Sequence, residues 1–290
     1  MKKNRFLFIL IAAAVIAGCT ETKEKEYAPV EEDGYTLIQA DIESLLFGGD
    51  DRVWPEGAAI GVYGSEQGEN EPFVIKNAGV GLDQAGFYGP LVKGDIAAYF
   101  PYSPSYIGDV ARMPFTLDPN QIYQEDPVGM FLDYTPTAFA RMVDGKLRFS
   151  YPCGLLKITV ESQSLVDVKQ VGITSASSKL SGFGVFLQDG SIMMTESAEQ
   201  YVMLDCGDDG IPAKTSDGSL NGFYMVVAPG VYDDLELSVY LEGADAPFTC
   251  AIPEIEVRKI SASDFSMVTI GFRPSGGPAG FVEENMTFDE

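Results

Sequence analysis

The sequence predicts an all-β protein, two β-sandwiches in tandem behind an export leader, and three observations predict it. Short apolar runs with period-two alternation recur along the chain. Gly, Pro, Asn and Asp punctuate those runs at short, fairly even intervals. No long stretch carries the 3.6-residue periodicity of an amphipathic helix. The chain of 290 residues is 46% apolar and 21% charged, which suffices to bury a core and excludes a disordered chain. Its length exceeds the roughly 100 residues of one sandwich, so two are expected.

The N-terminus reads as a signal peptide over residues 1–18. Lys2, Lys3 and Arg5 precede the apolar run Phe6 to Ala17, and Gly18-Cys19 follows. The run falls short of the about 20 apolar residues that a membrane span needs. Val15-Ile16-Ala17-Gly18-Cys19 resembles the lipobox of bacterial lipoproteins. That resemblance implies cleavage before Cys19 and acylation of its thiol and freed amine with palmitate-type chains. Several chains on one residue give firm anchoring. The alternative is an ordinary secretory signal with a cysteine nearby. Loss of the leader removes three basic residues and no acid, taking the net charge from −24 to −27. Residues 19–33 then form a tether in which Glu21, Glu24, Glu26, Glu31, Glu32 and Asp33 repel one another.

The N-terminal sandwich is expected over 34–145. It opens on Tyr35-Thr-Leu-Ile-Gln-Ala-Asp-Ile42, where Ile38, Ala40 and Ile42 share a face, with Leu45, Leu46 and Phe47 close behind. The boundary is placed near Val143-Asp144-Gly145-Lys146, and the C-terminal sandwich over 146–272. A long strand from Leu147 to Val160 belongs to either side, with Leu156, Ile158 and Val160 inward. Phe223 to Ala228 is apolar throughout, as in a strand covered on both faces. Leu235, Leu237, Val239 and Leu241 share one face of another strand, and Asp144-Gly145 and Asp189-Gly190 read as hairpin turns. Residues 273–290 are a linker and tail. The tail is read as disordered, with the alternative that Phe281, Val282, Met286 and Phe288 anchor a donated strand.

Composition excludes several functions. With 43 carboxylates against 19 Lys plus Arg, the chain lacks the cations that displace counterions from nucleic acid. It has no histidine, hence no Ser-His or Cys-His pair and none of the commonest metal ligand. Glu254 and Glu256 share a strand face, but adjacent like charges in an acidic protein read as solvated rather than as a glycosidase pair. Asp205-Cys-Gly-Asp-Asp-Gly210 reads as a turn, since it lacks the third-position oxygen and closing glutamate of a calcium loop. Cys153, Cys206 and Cys250 remain beside Cys19, an odd set that allows at most one pair and otherwise reads as small buried hydrophobes. No cofactor, metal site or enzymatic activity is expected.

Four stretches together resemble the fimbrillin family, the type V pilins and fimbrillin-like lipoproteins of Bacteroidales. They are Trp54-Pro-Glu-Gly-Ala-Ala-Ile-Gly-Val-Tyr63, Ala98-Tyr-Phe-Pro-Tyr-Ser103, the run Leu147 to Val160, and Tyr224-Met-Val-Val-Ala-Pro-Gly-Val-Tyr-Asp-Asp-Leu235. They stand in the family's order across nearly the whole mature chain. Ala58 departs from an acidic residue common after the glycine, and Tyr151 stands near a histidine common in the mid-chain strand.

The resemblance implies two transthyretin-like β-sandwiches and a lipid-anchored outer-membrane protein that takes part in fimbriae and cell adhesion. It implies other fimbrial subunits as partners, with host proteins or glycans as adhesion targets. In polymerising members a protease cuts after a basic residue, and the first strand is replaced by one from another subunit. Carried over here, Arg52 is the candidate processing site, and Tyr35, Leu37, Ile38, Ala40 and Ile42 mark the replaceable strand. Burying four or five apolar side chains at about 1.5–3 kcal/mol each approaches a whole domain's net stability of about 5–15 kcal/mol. A sandwich losing that strand therefore needs another in the groove, which is β-augmentation in a head-to-tail, non-closing contact. The alternative function is a non-polymerising surface lipoprotein that binds glycans or host proteins, with Trp54, Tyr102 or Tyr106 as a platform.

Overall fold

The computed structural model describes residues 30–32, 35–41, 54–66, 68–76, 84–135, 137–162, 165–260, 266–274 and 277–285. For 30–32, 266 and 277–285 it describes the backbone alone. In chain order the first strands are β1 (Val30–Glu32), β2 (Tyr35–Asp41), β3 (Ala59–Gly64), β4 (Glu71–Ile75), β5 (Gln84–Pro90) and β6 (Ile96–Phe100). Next come β7 (Arg112–Leu117), β8 (Asn120–Ile122), helix α1 (Pro127–Tyr134), β9 (Ala138–Val143), β10 (Lys146–Ser150) and β11 (Gly154–Val160). β12 (Asp167–Ser175), β13 (Gly182–Leu187), β14 (Ile192–Met194), β15 (Tyr201–Asp205), β16 (Ile211–Pro212) and β17 (Phe223–Val227) follow. The last are β18 (Gly230–Tyr232), β19 (Leu235–Leu241), β20 (Phe248–Ala251), β21 (Ile255–Val257), β22 (Ser266–Arg273) and β23 (Gly277–Asn285).

The first sheet closes on itself. Its hydrogen bonds run β2-β10-β9-β6-β3-β4-β5, and β5 returns to β2, while β1 pairs with β2 alone. Alternation does the sorting. Ile60 and Val62 on β3, Ala98 on β6 and Ala140 on β9 face the inner core with Trp54, Phe73, Phe87 and Phe149. The intervening Tyr63, Tyr99 and Phe139 face outward. Trp54 is fully buried and meets Phe87, Phe100 and Phe149 edge-on at 4.8, 5.4 and 6.0 Å between centroids. The outward Tyr99 ring lies flat across Gly61, where a Cβ would stand 2.0 Å from the ring, so only glycine fits beneath it.

Two further sheets make the sandwich. One runs β17-β11-β22-β23, and the other runs β20-β19-β12-β15-β8, with β16 on β12. The predicted inward residues Leu156, Ile158 and Val160 fill the core between them, with Leu235, Leu237, Val239 and Leu241 from the facing sheet. Leu155 and Val226, on the opposite faces of β11 and β17, join the core of the closed sheet instead. The β17–β11 layer is thus covered on both sides, as the unbroken apolar run 223–228 requires. A fourth sheet, β14-β13-β7, lays Met113, Phe115 and Phe186 on the outward face of β3, β6 and β9.

Several segments depart from the sequence expectation. The run Leu147 to Val160 is two strands, broken at Tyr151-Pro152-Cys153, because Pro152 has no N–H to give a ladder. β10 pairs with β9 and β2, while β11 pairs with β17 and β22. The tail is not disordered over 277–285: β23 pairs antiparallel with β22, with a bulge between Gly271 and Phe272. An unexpected helix, α1, starts on Asp126, whose carboxylate accepts from the N–H groups of Val128 and Gly129, with Pro127 at its first position. Met130 enters the sandwich core and Phe131 the closed-sheet core.

One side chain closes an exposed ladder. Gln121, buried, donates Nε2 to the Val226 carbonyl at 2.7 Å and accepts from the Val226 N–H at 2.9 Å. It thereby pairs the edge of β17 that faces away from β11. Replacing Gln121→Leu strands both backbone groups in the interior and is expected to cost about 2–5 kcal/mol, read as a lowered urea midpoint at unchanged slope.

Candidate functional site: the seat of β2

β2 is hydrogen-bonded along both sides. Residues Tyr35 to Asp41 pair antiparallel with Pro90 to Gln84 of β5. On the other side Gln39, Ala40 and Asp41 pair in parallel with Lys146, Leu147 and Arg148 of β10, and Leu37, Thr36 and Tyr35 pair with β1. The strand therefore fills a slot between β5 and β10, and without it the closed sheet has two edges.

The seat follows from alternation. Thr36, Ile38 and Ala40 point into the core, and Ile38 has no exposed surface. Leu37 and Gln39 are half-buried on the other face, with Leu37 lying against Gly86, where a Cβ would stand 2.8 Å from its Cδ1. Tyr35 is 58% exposed. Thr36 is the polar member of the seat, and its Oγ1 accepts from the Val92 N–H at 3.2 Å inside the core. Alternation marked Ile38 and Ala40; nothing in the sequence marked Thr36 as the acceptor for a strand-end N–H far along the chain. Ile42, Cys19 and Arg52, named from the sequence, lie outside the described residues.

Of the anchors counted from the sequence, Ile42, Leu45, Leu46 and Phe47 lie outside the described residues. Ile38 is the one large side chain that β2 buries completely, Ala40 is small, and Leu37 is half-covered. The two ladders add a net of about 0.5–1.5 kcal/mol per hydrogen bond.

Other sequence candidates resolve as packing. Trp54 is at the centre of the closed-sheet core and offers no surface. Tyr106 stacks on Tyr99 at 4.0 Å and donates its hydroxyl to the Pro114 carbonyl at 2.9 Å. Burial pushes the Tyr106 hydroxyl up, and burial with the neighbouring Tyr99 raises that of Tyr63 to about 12. Glu254 and Glu256 are exposed. Asp205 accepts from the Gly207 N–H at 2.8 Å in a turn. Cys153, Cys206 and Cys250 are free thiols. Burial pushes the Cys153 thiol well up and the Cys206 thiol to about 12, so neither is a thiolate at neutral pH. Among the described residues no group of three or more His, Cys, Asp or Glu side chains is placed to hold a metal ion.

A candidate cell adhesion protein from Bacteroides ovatus superposes with a TM-score of 0.52 at 14% identity, over 91% of this chain and 99% of that one. The two share a fold. A candidate cell adhesion protein from Bacteroides uniformis gives 0.49 at 14% identity, over 89% and 98% of the two chains. A fimbrial protein from Bacteroides vulgatus gives 0.47 at 13%, over 86% and 98%. No family model and no curated protein sequence matches the chain.

Truncating Ile38→Ala is expected to cost about 2–5 kcal/mol, as a cavity in a core that collapses only partly. Tyr35→Ala, on the exposed face, is expected to stay within about 0.5 kcal/mol. Urea denaturation of the two variants side by side checks which face of β2 carries the seating.

Proposed function

We propose that this chain is a non-enzymatic adhesion subunit of the fimbrillin type. In this reading it is carried to the outer membrane as a lipoprotein on Cys19 and assembles when β2 is exchanged for a strand of another subunit. The observation that carries the reading is the slot between β5 and β10. It holds a short N-terminal strand by two ladders and few large side chains, so it suits any strand of matching pattern. The four motif stretches and the fold shared with a candidate adhesion protein support it. The chain then divides into a closed-sheet unit and a sandwich unit near Tyr151-Pro152-Cys153, a few residues past the boundary expected near Val143-Asp144-Gly145-Lys146, because β10 pairs with β9 and β2; fimbrial subunits and a cell-surface target are its partners. Of the aromatic base that the glycan-platform alternative needs, Trp54 is buried and Tyr106 is stacked and hydrogen-bonded, which leaves the half-buried Tyr102 alone.

Cleavage after Arg52 would separate β2 from Trp54 and let it leave while the rest of the chain stays intact. Limited digestion with a trypsin-like protease is expected to give a new N-terminus at Val53 and oligomers that grow with protein concentration. N-terminal mass spectrometry and light scattering read the two results. Arg52→Gln is expected to block both. A chain cut at Val53 that remains monomeric under all concentrations tested overturns the polymerising role.

A further inference from the structure

Arg141 lies on β9 with its side chain on the outward face, next in alternation to Phe139, under the β14-β13-β7 sheet. Phe186 from β13 stacks on Phe139 at 5.3 Å and lies 5.7 Å from the Arg141 guanidinium carbon. One nitrogen, Nη1, donates to the Val110 carbonyl. The other two, Nε and Nη2, are buried and have no hydrogen-bond partner. Those two N–H groups leave the same edge of the planar guanidinium side by side. They form the fork that grips a carboxylate through two parallel bonds.

A buried cation with two unmet donors is costly, and native interiors rarely leave such groups without a purpose. Asp109 and Asp189 are the carboxylates whose charge acts on Arg141, but neither bonds to the fork, and each holds a turn of its own through Oδ1. Asp109 accepts from the N–H groups of Ala111 and Arg112, both at 2.7 Å. Asp189 accepts from the Ser191 N–H at 2.9 Å and its hydroxyl at 2.6 Å. The neighbouring cation Lys259 is likewise engaged, donating to the Gly190 carbonyl at 2.7 Å. Beside Arg141 opens a cleft of about 330 Å³, walled by Asp95, Ile96, Val110, Met142 and Gln188. That volume suits a ligand the size of one sugar ring or an acylated amino acid.

We propose that this cleft binds a small monocarboxylate, held side-on by Nε and Nη2 of Arg141. Asp95 on the wall, with Asp109 and Asp189 nearby, disfavours a doubly charged ligand such as phosphate, while the apolar stretch of Ile96, Val110 and Met142 takes the uncharged body. Nε and Nη2 have no exposed surface, so binding requires the side chains over the guanidinium to give way toward the cleft. The proposal does not depend on exchange of β2.

The test titrates the full chain with glucuronate and with N-acetylglycine, each beside its neutral counterpart, glucose and N-acetylglycinamide. Calorimetry gives the affinity, and the Arg141 Nε–Hε resonance reports on the fork. At least one acid is expected to bind and shift that resonance, with both neutral compounds silent. Which acid binds tells whether the carboxylate comes from a sugar acid or an amino-acid-type ligand. Arg141→Lys keeps the charge and loses the fork, and is expected to weaken binding at least about tenfold. Failure of both acids to shift the resonance, equal binding of the neutral compounds, or unchanged affinity in a folded Arg141→Lys chain each overturns the proposal. Should that variant not fold, the acid-against-neutral comparison in the parent chain decides alone.

Discussion

A ring of strands has no free edge, and here the ring is closed by β2. Its neighbours depend on it unequally. β5 pairs with β2 from Tyr35 to Asp41, and with β4 over the shorter stretch Val74–Tyr88 and Ile75–Phe87, the Lys76 N–H donating to the Gly86 carbonyl just beyond. Taking β2 away would leave β5 tethered by that short ladder, and both β5 and β10 would expose rows of unpaired N–H and C=O groups. The inner core would lose Ile38 and the Thr36 acceptor for Val92 at the same moment. An open slot is therefore a high-energy state that another strand can relieve, which is the property a strand-exchanging subunit needs.

The disturbance has a natural limit. β11 and β17 present Leu155 and Val226 to the closed-sheet core, and Leu156, Met225 and Val227 to the sandwich core. The second core draws no residue from β2, so it can stay packed while the first is opened. The composite β14-β13-β7 sheet and Gln121 bind the two regions further, because β7 and β8 leave the first region to pair with β13 and β15. A load arriving at β2 and leaving at β23 would pass through these contacts rather than through one flexible hinge.

What was legible in the sequence was local. Period-two alternation located the faces of β2, β11 and β19, and turn chemistry located Asp144-Gly145, because both depend on residues a few positions apart. What failed depended on partners far along the chain. Nothing near Arg112 to Leu117 announces that β7 will pair with β13. Pro152 was a readable strand breaker overridden by the continuous apolar run on either side. Asp126-Pro127 was a readable helix start, hidden by Gly129 and by a helix of eight residues, too short to display a period. The glycine and proline of 273–280 suggested a linker, but Gly277, Pro278 and Gly280 lie in β23 and pair with β22. Nothing local to Arg141, a charge among Ala138, Phe139, Ala140 and Met142, announces that its fork will be enclosed; packing decides that.

The seat also states what any replacement for β2 must carry. The slot has one antiparallel wall, β5, and one largely parallel wall, β10, so a strand entering in either direction meets one neighbour of each kind. The ladders alone therefore do not choose a direction. The side chains do. At alternate positions the seat asks for a hydrogen-bond acceptor facing the Val92 N–H, a branched aliphatic where Ile38 sits, and a residue no larger than alanine beyond it. Read backwards, that series puts the small residue against Val92 and leaves its buried N–H unmet, a loss of about 1–3 kcal/mol, with overpacking at the Ala40 position in addition. Were β2 exchanged, Thr36, Ile38 and Ala40 would set the direction and pattern of the incoming strand, with the polar member of the three deciding the direction.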